Sequence, residues 1–152
     1  MKKESGMGLL AIIFIIVLII VLVVLGYYTV KKITKDKKLE DIKANMLLIQ
    51  GKCKILEENT KVNKNEDNIL GKKVSDMKED QIIAQFLEKN IIPEDKLDKY
   101  YVLSNEDLNN MEIDVQNEEN SYYIVNYEED SVYITKGYMN EETNEIVYKL
   151  EE

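Results

Sequence analysis

From Leu9 to Leu25 the chain reads LLAIIFIIVLIIVLVVL, and no charged residue stands between Ser5 and Val30. A helix rises about 1.5 Å per residue, so roughly 20 such residues cover the ~30 Å hydrocarbon layer of a bilayer. Only a helix crosses that layer as a single segment, because its backbone groups satisfy one another. At a few tenths of a kcal/mol per aliphatic residue, the run favours insertion by roughly 5–10 kcal/mol. The pattern therefore predicts a single-pass span over residues 7–30. A cleaved secretory signal is the alternative. It calls for a shorter apolar core followed by small residues, whereas here Tyr27, Tyr28, Lys31 and Lys32 follow, the composition of an interfacial anchor.

Beyond the span the period changes but the helix does not stop. Leu39, Ile42, Met46, Ile49, Cys53 and Leu56 recur at spacings of three and four, which puts them on one face. Leu47, Leu48 and Ile55 are expected to widen that face for docking on a core. A coiled-coil seam is the other reading of the stripe. Together the two patterns predict one helix from about Met7 to Asn59, its second part (residues 31–59) amphipathic. Asn59–Lys73 is polar and Asn-rich, a loop. Asp76 with Glu79 reads as a capping box for a helix to about Asn90, with Ile82, Ile83, Phe86 and Leu87 inside. Pro93 starts a short helical turn carrying Leu97, and Tyr100–Leu103 is a short strand. Ser104 and Asp107 suggest a second cap, with Leu108 and Met111 buried.

The last third is β. Ser121–Tyr127 and Ser131–Lys136 are rich in β-branched and aromatic residues, joined by a Glu128-Glu129-Asp130 hairpin connection. Asn144–Leu150 supplies a third strand of an antiparallel meander. Alternation turns either Tyr122 and Ile124 or Tyr123 and Val125 to the core, and the sequence leaves that choice open. The expected class is α+β, a long N-terminal helix and short helices with a C-terminal antiparallel sheet of three or four strands, residues 60–152 forming a small acidic domain.

Charge divides the chain. Residues 1–38 carry seven lysines against Glu4 and Asp36, and residues 39–152 carry thirteen against twenty-seven acidic side chains. An acidic domain repels nucleic acid, so direct nucleic-acid binding is not expected, while Lys31–Lys38 suits lipid headgroups of the bilayer. The chain has no His, the commonest general base, and its one cysteine, Cys53, excludes an internal disulfide. No phosphate loop, nucleophile elbow or zinc spacing occurs, so neither catalysis nor a cofactor is expected. The acidic stretches Asn65–Asn68, Asn117–Glu119 and Glu128–Asp130 offer oxygen ligands suited to calcium, but none has EF-hand spacing, and solvated turns are the simpler reading. Cys53, on the apolar helix face, reads as a small packed hydrophobe. Most of the ten tyrosines lie in strands, where that residue is favoured for packing alone.

The first residues, MKKESG followed by M-G-L-L-A-I, resemble the start of the type IV pilin and pseudopilin family. The likeness rests on Lys2, Lys3, Gly6, Leu9 and Leu10, and is strongest to a variant of low-GC Gram-positive bacteria that has Ala at the position of Ala11. The stretches DLNNM, YYIVNY and ITKG also resemble small anchored pilin-like proteins of that group. The resemblance implies that residues 1–6 are a leader cut between Gly6 and Met7 by a prepilin peptidase. It implies that Leu9, Leu10, Ala11 and Phe14 pack against neighbouring pilin-like subunits. It places the chain in the plasma membrane with its domain outside the cytoplasm, as a non-enzymatic subunit of a secretion, adhesion or uptake assembly. Filament-forming members usually carry Glu at the position of Ala11, so Ala11 is a departure that bears on assembly. The competing expectation is a plain anchored interaction module, neither cleaved nor assembled. The five lysines after the span against Lys2 and Lys3 before it favour a cytoplasmic domain for such a module.

Overall fold

The structure is a computed structural model that describes residues 5–63, 69–140 and 143–150, and within the first helix the side chains of 12–29 and 37–62. The chain divides into two compact units, Met1–Glu40 and Asp41–Glu152. Helix α1, Ser5–Asn63, contributes to both.

The first unit is the apolar part of α1. Ile12–Thr29 is long and apolar enough to cross a membrane, with a mean hydropathy of 3.0 and none of it buried. The Thr29 hydroxyl donates back to the Leu25 carbonyl at 2.9 Å. That local bond satisfies a polar group within an otherwise apolar stretch of helix. At the same end Tyr27 and Tyr28 meet edge to face, ring centres 6.3 Å apart.

The second unit is built on a five-stranded antiparallel meander in the order β1 (Lys72–Lys73), β2 (Tyr101–Leu103), β3 (Tyr123–Asn126), β4 (Ser131–Met139) and β5 (Ile146–Lys149). The class is α+β, as the order of apolar patterns predicts. The sheet has two strands more than the three legible segments at its C-terminal end supply. Tyr101–Leu103 joins them, and so does β1, inside what the composition reads as loop. Lys72 and Lys73 pair with Val102 and Tyr101.

Both faces of this sheet are covered, which settles the alternation question in an unexpected way. On one face lie Leu103, Tyr123, Val125, Val132 and Ile134, paired across neighbouring strands and all buried. They meet the α1 stripe Ile42, Met46, Ile49 and Cys53, every member of which is buried. On the other face Val102, Ile124 and Tyr133 pack with Val74, Ile83, Phe86, Ile92, Leu97 and Tyr100. All four residues of β3 are buried. A central strand with two covered faces reads as continuously apolar, not alternating.

Short elements close the second face. Val74–Met77 forms a 3-10 turn, and α2 follows over Gln81–Leu87. The α2 cap is Asp80, whose carboxylate accepts from the Ile82 and Ile83 backbone N–H groups at 2.9 and 3.2 Å. Asp76 with Glu79 does not serve this role, because Asp76 lies inside the preceding 3-10 turn and Asp80 is the residue with extended backbone. Pro93 introduces the 3-10 segment Glu94–Lys99, and Leu97 is buried. Helix α3, Asn105–Asn110, opens on the expected capping box. Ser104 Oγ accepts from Asp107 N at 3.1 Å, and Asp107 Oδ2 accepts from Ser104 N at 2.8 Å.

One expectation for α1 fails. Leu47, Leu48 and Ile55 do not widen the buried face: they are 57, 56 and 54 % exposed. The helix turns only the single stripe Ile42, Met46, Ile49 and Cys53 inward, and these three side chains fall outside it.

Candidate functional site

Four places in the chain invite a functional reading. The first is the start of α1. Gly6, Met7, Leu9, Leu10 and Ala11 all fall within the helix, and their side chains lie outside the described residues, as does the whole of Met1–Glu4. Phe14 is 70 % exposed. Every described side chain from Ile12 to Leu25 is likewise exposed, so the apolar part of α1 presents its whole circumference to whatever surrounds it. A helix apolar all round suits lipid or other helices.

The second is the set of acidic turns. Asn65–Asn68 lies outside the described residues. In the β3–β4 turn, Glu128 Oε2 accepts from Lys99 Nζ at 2.6 Å, Glu129 pairs with Lys96 at 3.7 Å, and Asp130 faces Lys54 at 4.0 Å. Asn126 Oδ1 accepts from the Glu128 and Glu129 N–H groups and fixes the turn. Gln50 Nε2 of α1 donates to the Asp130 carbonyl at 2.7 Å. Near α3, Glu118 pairs with Lys136 at 3.2 Å. Asn117 donates to the Leu103 carbonyl and accepts from Tyr123 N, tying a loop to the sheet. These side chains hold the fold's turns in place, and their carboxylates meet lysines. Among the described residues no three His, Cys, Asp or Glu side chains gather closely enough to hold a metal ion.

The third is Cys53 with Tyr127. The thiol lies against the Tyr127 hydroxyl where α1 crosses β3, and Tyr127 in turn donates to the Leu70 carbonyl at 2.9 Å. Burial pushes the Cys53 thiol up to about 12, with the tyrosine hydrogen bond opposing and Asp130 reinforcing the shift. Burial also pushes Tyr127 well above the ordinary tyrosine value. A nucleophilic thiol needs the thiolate. This one stays protonated at neutral pH, so the pair is a packed polar contact.

The fourth is a pair of shallow cavities on either side of the Ser104 cap. One, of about 350 Å3, is lined by Ile82, Asn105, Asn117, Asn120 and Tyr122 among others. The other, of about 380 Å3, is lined by Gly71, Lys72, Met77, Glu106 and Tyr122 among others. Asn105 and Asn117 are engaged within the chain, Asn105 Oδ1 accepting from Asn117 N at 2.7 Å.

The feature that sequence reasoning passed over is the outer face of α1. Ala44, Leu48, Gly51, Ile55 and Val62 are all exposed. The signal was present in the spacing, because these positions repeat the buried stripe two residues later, on the opposite side of the helix.

No protein-family model, no curated protein and no solved structure matches this chain.

Proposed function

We propose that the chain is a membrane-anchored, non-enzymatic pilin-like or pseudopilin-like subunit of a secretion, adhesion or uptake assembly. The observation that carries this reading is one helix, Ser5–Asn63, that bears a membrane-length apolar segment and then a stripe covering an antiparallel sheet. That is the layout implied by the resemblance of Lys2, Lys3, Gly6, Leu9 and Leu10 to a prepilin start. In this reading the bilayer holds Ile12–Thr29, a prepilin peptidase acts between Gly6 and Met7, and the acidic unit stands outside the cytoplasm. Leu9, Leu10, Ala11 and Phe14 then meet neighbouring helices within the membrane. An apolar helix gains nothing from the hydrophobic effect when it leaves lipid for a neighbour, so its association rests on close packing. Small Ala11 permits that packing without the cost of a buried acid.

A second reading is an uncleaved anchored module with a cytoplasmic domain. It is favoured by Lys31, Lys32, Lys35, Lys37 and Lys38 following the span, and by Ala11 standing at the position where filament-forming pilins usually have Glu. The intact mass of the protein extracted from its native membrane separates the two. Loss of Met1–Gly6 supports processing and an outward domain, because that peptidase cuts on the cytoplasmic side. A retained Met1 terminus removes the main support for the pilin-like reading and favours the module.

A further inference from the structure

Two cavities meet at Tyr122. One, of about 350 Å3, reaches Asn105 and Asn120, and the other, of about 380 Å3, reaches Lys72 and Glu106; Ser104 and Tyr122 line both. Their walls are fixed from behind. Thr135 closes both backbone groups of Tyr122, its hydroxyl accepting from Tyr122 N at 2.9 Å and its N–H donating to the Tyr122 carbonyl at 3.0 Å. The Tyr122 side chain is half-buried against the core of the second face. Asn117 engages both ends of its amide, on the Leu103 carbonyl and Tyr123 N, and its own N–H holds Asn105 Oδ1 at 2.7 Å.

Several polar groups are left over by this framework. Asn105 Nδ2, the whole Asn120 amide and the Tyr122 hydroxyl have no hydrogen-bond partner among the described residues. Asn120 stands at φ +58°, a conformation that glycine adopts freely, so the backbone alone does not call for an amide there. The charges nearby offset one another. Glu118 pairs with Lys136, and Asp107 is held in the Ser104 capping box. Lys72 and Glu106, of opposite sign, pair with no described residue.

An anion would meet the field of a strongly acidic unit. The described carboxylates do not gather closely enough for a metal ion. These walls suit a neutral ligand rich in groups that both donate and accept. Sugar hydroxyls are such groups, and amide and phenol side chains answer them in both senses. The C–H face of a sugar ring also packs on a tyrosine, whose ring face is negative. Each cavity lies near the lower end of the roughly 300–1,000 Å3 of small-molecule sites, which fits a short saccharide.

We propose that the groove across Tyr122 binds a neutral disaccharide, one sugar ring in each cavity. Asn105 and Asn120 hold the hydroxyls of the first ring, Tyr122 lies at the link, and Lys72 and Glu106 meet the second. The proposal goes beyond the pilin-like reading and does not depend on the leader or on the side of the membrane.

The test is an NMR titration of the isotope-labelled full chain, in micelles of a detergent without a sugar headgroup, with maltose, cellobiose and diacetylchitobiose. At least one is expected to give saturable shifts centred on the side chains of Asn105, Asn120 and Tyr122, with a Kd on the order of 1 mM. Asn105→Asp keeps the acceptor for Asn117 N and removes the free donor. Asn120→Gly keeps the backbone conformation and removes the amide. Each is expected to weaken binding roughly tenfold, the effect of one hydrogen bond. Asn110→Asp, at an exposed position of α3 outside both cavities, is expected to leave binding unchanged. Retained near-ultraviolet tyrosine dichroism checks that each variant is folded. No saturable shift with any of the three saccharides would overturn the proposal, as would equal shifts from glycerol or undiminished binding by Asn105→Asp and Asn120→Gly. Saturation by a capped trialanine and by none of the saccharides would overturn it in favour of a peptide groove. The intact mass reports leader processing separately, so either reading can fail while the other stands.

Discussion

The Tyr127 hydroxyl both donates to the Leu70 carbonyl at 2.9 Å and accepts from the Leu70 N–H at 3.2 Å. One side chain thereby closes both backbone groups of a residue that stands just before β1, and its ring also meets Tyr101 edge to face at 5.5 Å. Tyr127→Phe keeps the ring and removes both bonds, leaving a partly buried donor and acceptor unpaired. The expected loss is about 1–3 kcal/mol, read from thermal unfolding of the full chain in detergent micelles. An unchanged midpoint would mean that solvent takes over both partners.

Cys53, against the same hydroxyl, makes the stability depend on pH at the alkaline end. Its thiol ionises near 9.0 when free and near 12 in the fold, chiefly through burial. Between those values the unfolded chain has released a proton that the folded chain still holds. The stabilisation is therefore complete below pH 9 and is lost as the pH rises towards 12. The slope is about 1.4 kcal/mol per pH unit for each such group. Tyr127 is shifted in the same direction and adds to the decline above its free value of 10.0. Unfolding midpoints taken between pH 7 and 11 are expected to be flat and then fall, and Cys53→Ala is expected to make the fall begin later. The buried thiol is likewise expected to resist thiol reagents at pH 8 until the domain unfolds.

Neighbouring residues of α1 are expected to respond oppositely to truncation. Ile49 is fully buried against the sheet and Leu48 is 56 % exposed. Ile49→Ala opens a cavity and is expected to cost about 2–5 kcal/mol. Leu48→Ala is expected to stay within about 0.5 kcal/mol, the ordinary effect of a surface change. Thermal unfolding of the two variants side by side provides the comparison. Comparable losses at both positions would mean that the outer face of α1 at Leu48 is covered by the chain itself.

The helix start at Asp80 is tested in the same manner. Asp80→Ala removes the acceptor for Ile82 N and Ile83 N and is expected to cost about 1 kcal/mol, whereas Asp76→Ala, which caps no helix, is expected to cost less than about 0.5 kcal/mol. Thermal unfolding of the two variants side by side distinguishes the positions.

The α1 stripe was legible because Ile42, Met46, Ile49 and Cys53 pack against a single flat partner, so period and burial coincide. Leu47, Leu48 and Ile55 stay exposed for a related reason: spacing identifies an apolar face without saying what covers it. Alternation in β3 gave no answer because Tyr123 and Val125 face α1 while Ile124 faces Val74, Phe86 and Leu97. The Ser104–Asp107 box was readable since both partners are three residues apart, but the lysines that meet Glu128 and Glu129 come from about thirty residues away. Non-local pairing of that kind leaves no mark in local pattern. Strand β1 was hidden most completely, because Lys72 and Lys73 are exposed and carry no apolar signal at all.

What places β1 is the backbone before it. Gly71 has φ of +99°, a conformation that side chains with L chirality rarely adopt, and a Cβ there would fall 2.9 Å from the Val102 carbonyl oxygen. Val102 is itself the pairing partner of Lys72, so the obstructing atom belongs to the strand that β1 must reach. Gly71→Ala therefore meets both a strained φ and a backbone atom that cannot move without breaking the β1–β2 pairing. The expected cost is about 1–3 kcal/mol, and it should be concentrated at this edge of the sheet. Hydrogen exchange checks the location. Faster exchange at Lys73 and Val74 with unchanged protection at Ile124 and Tyr133 would match local release of the edge. Uniform acceleration across all four would instead mean that β1 is an integral part of the cooperative core, held as firmly as the central strands.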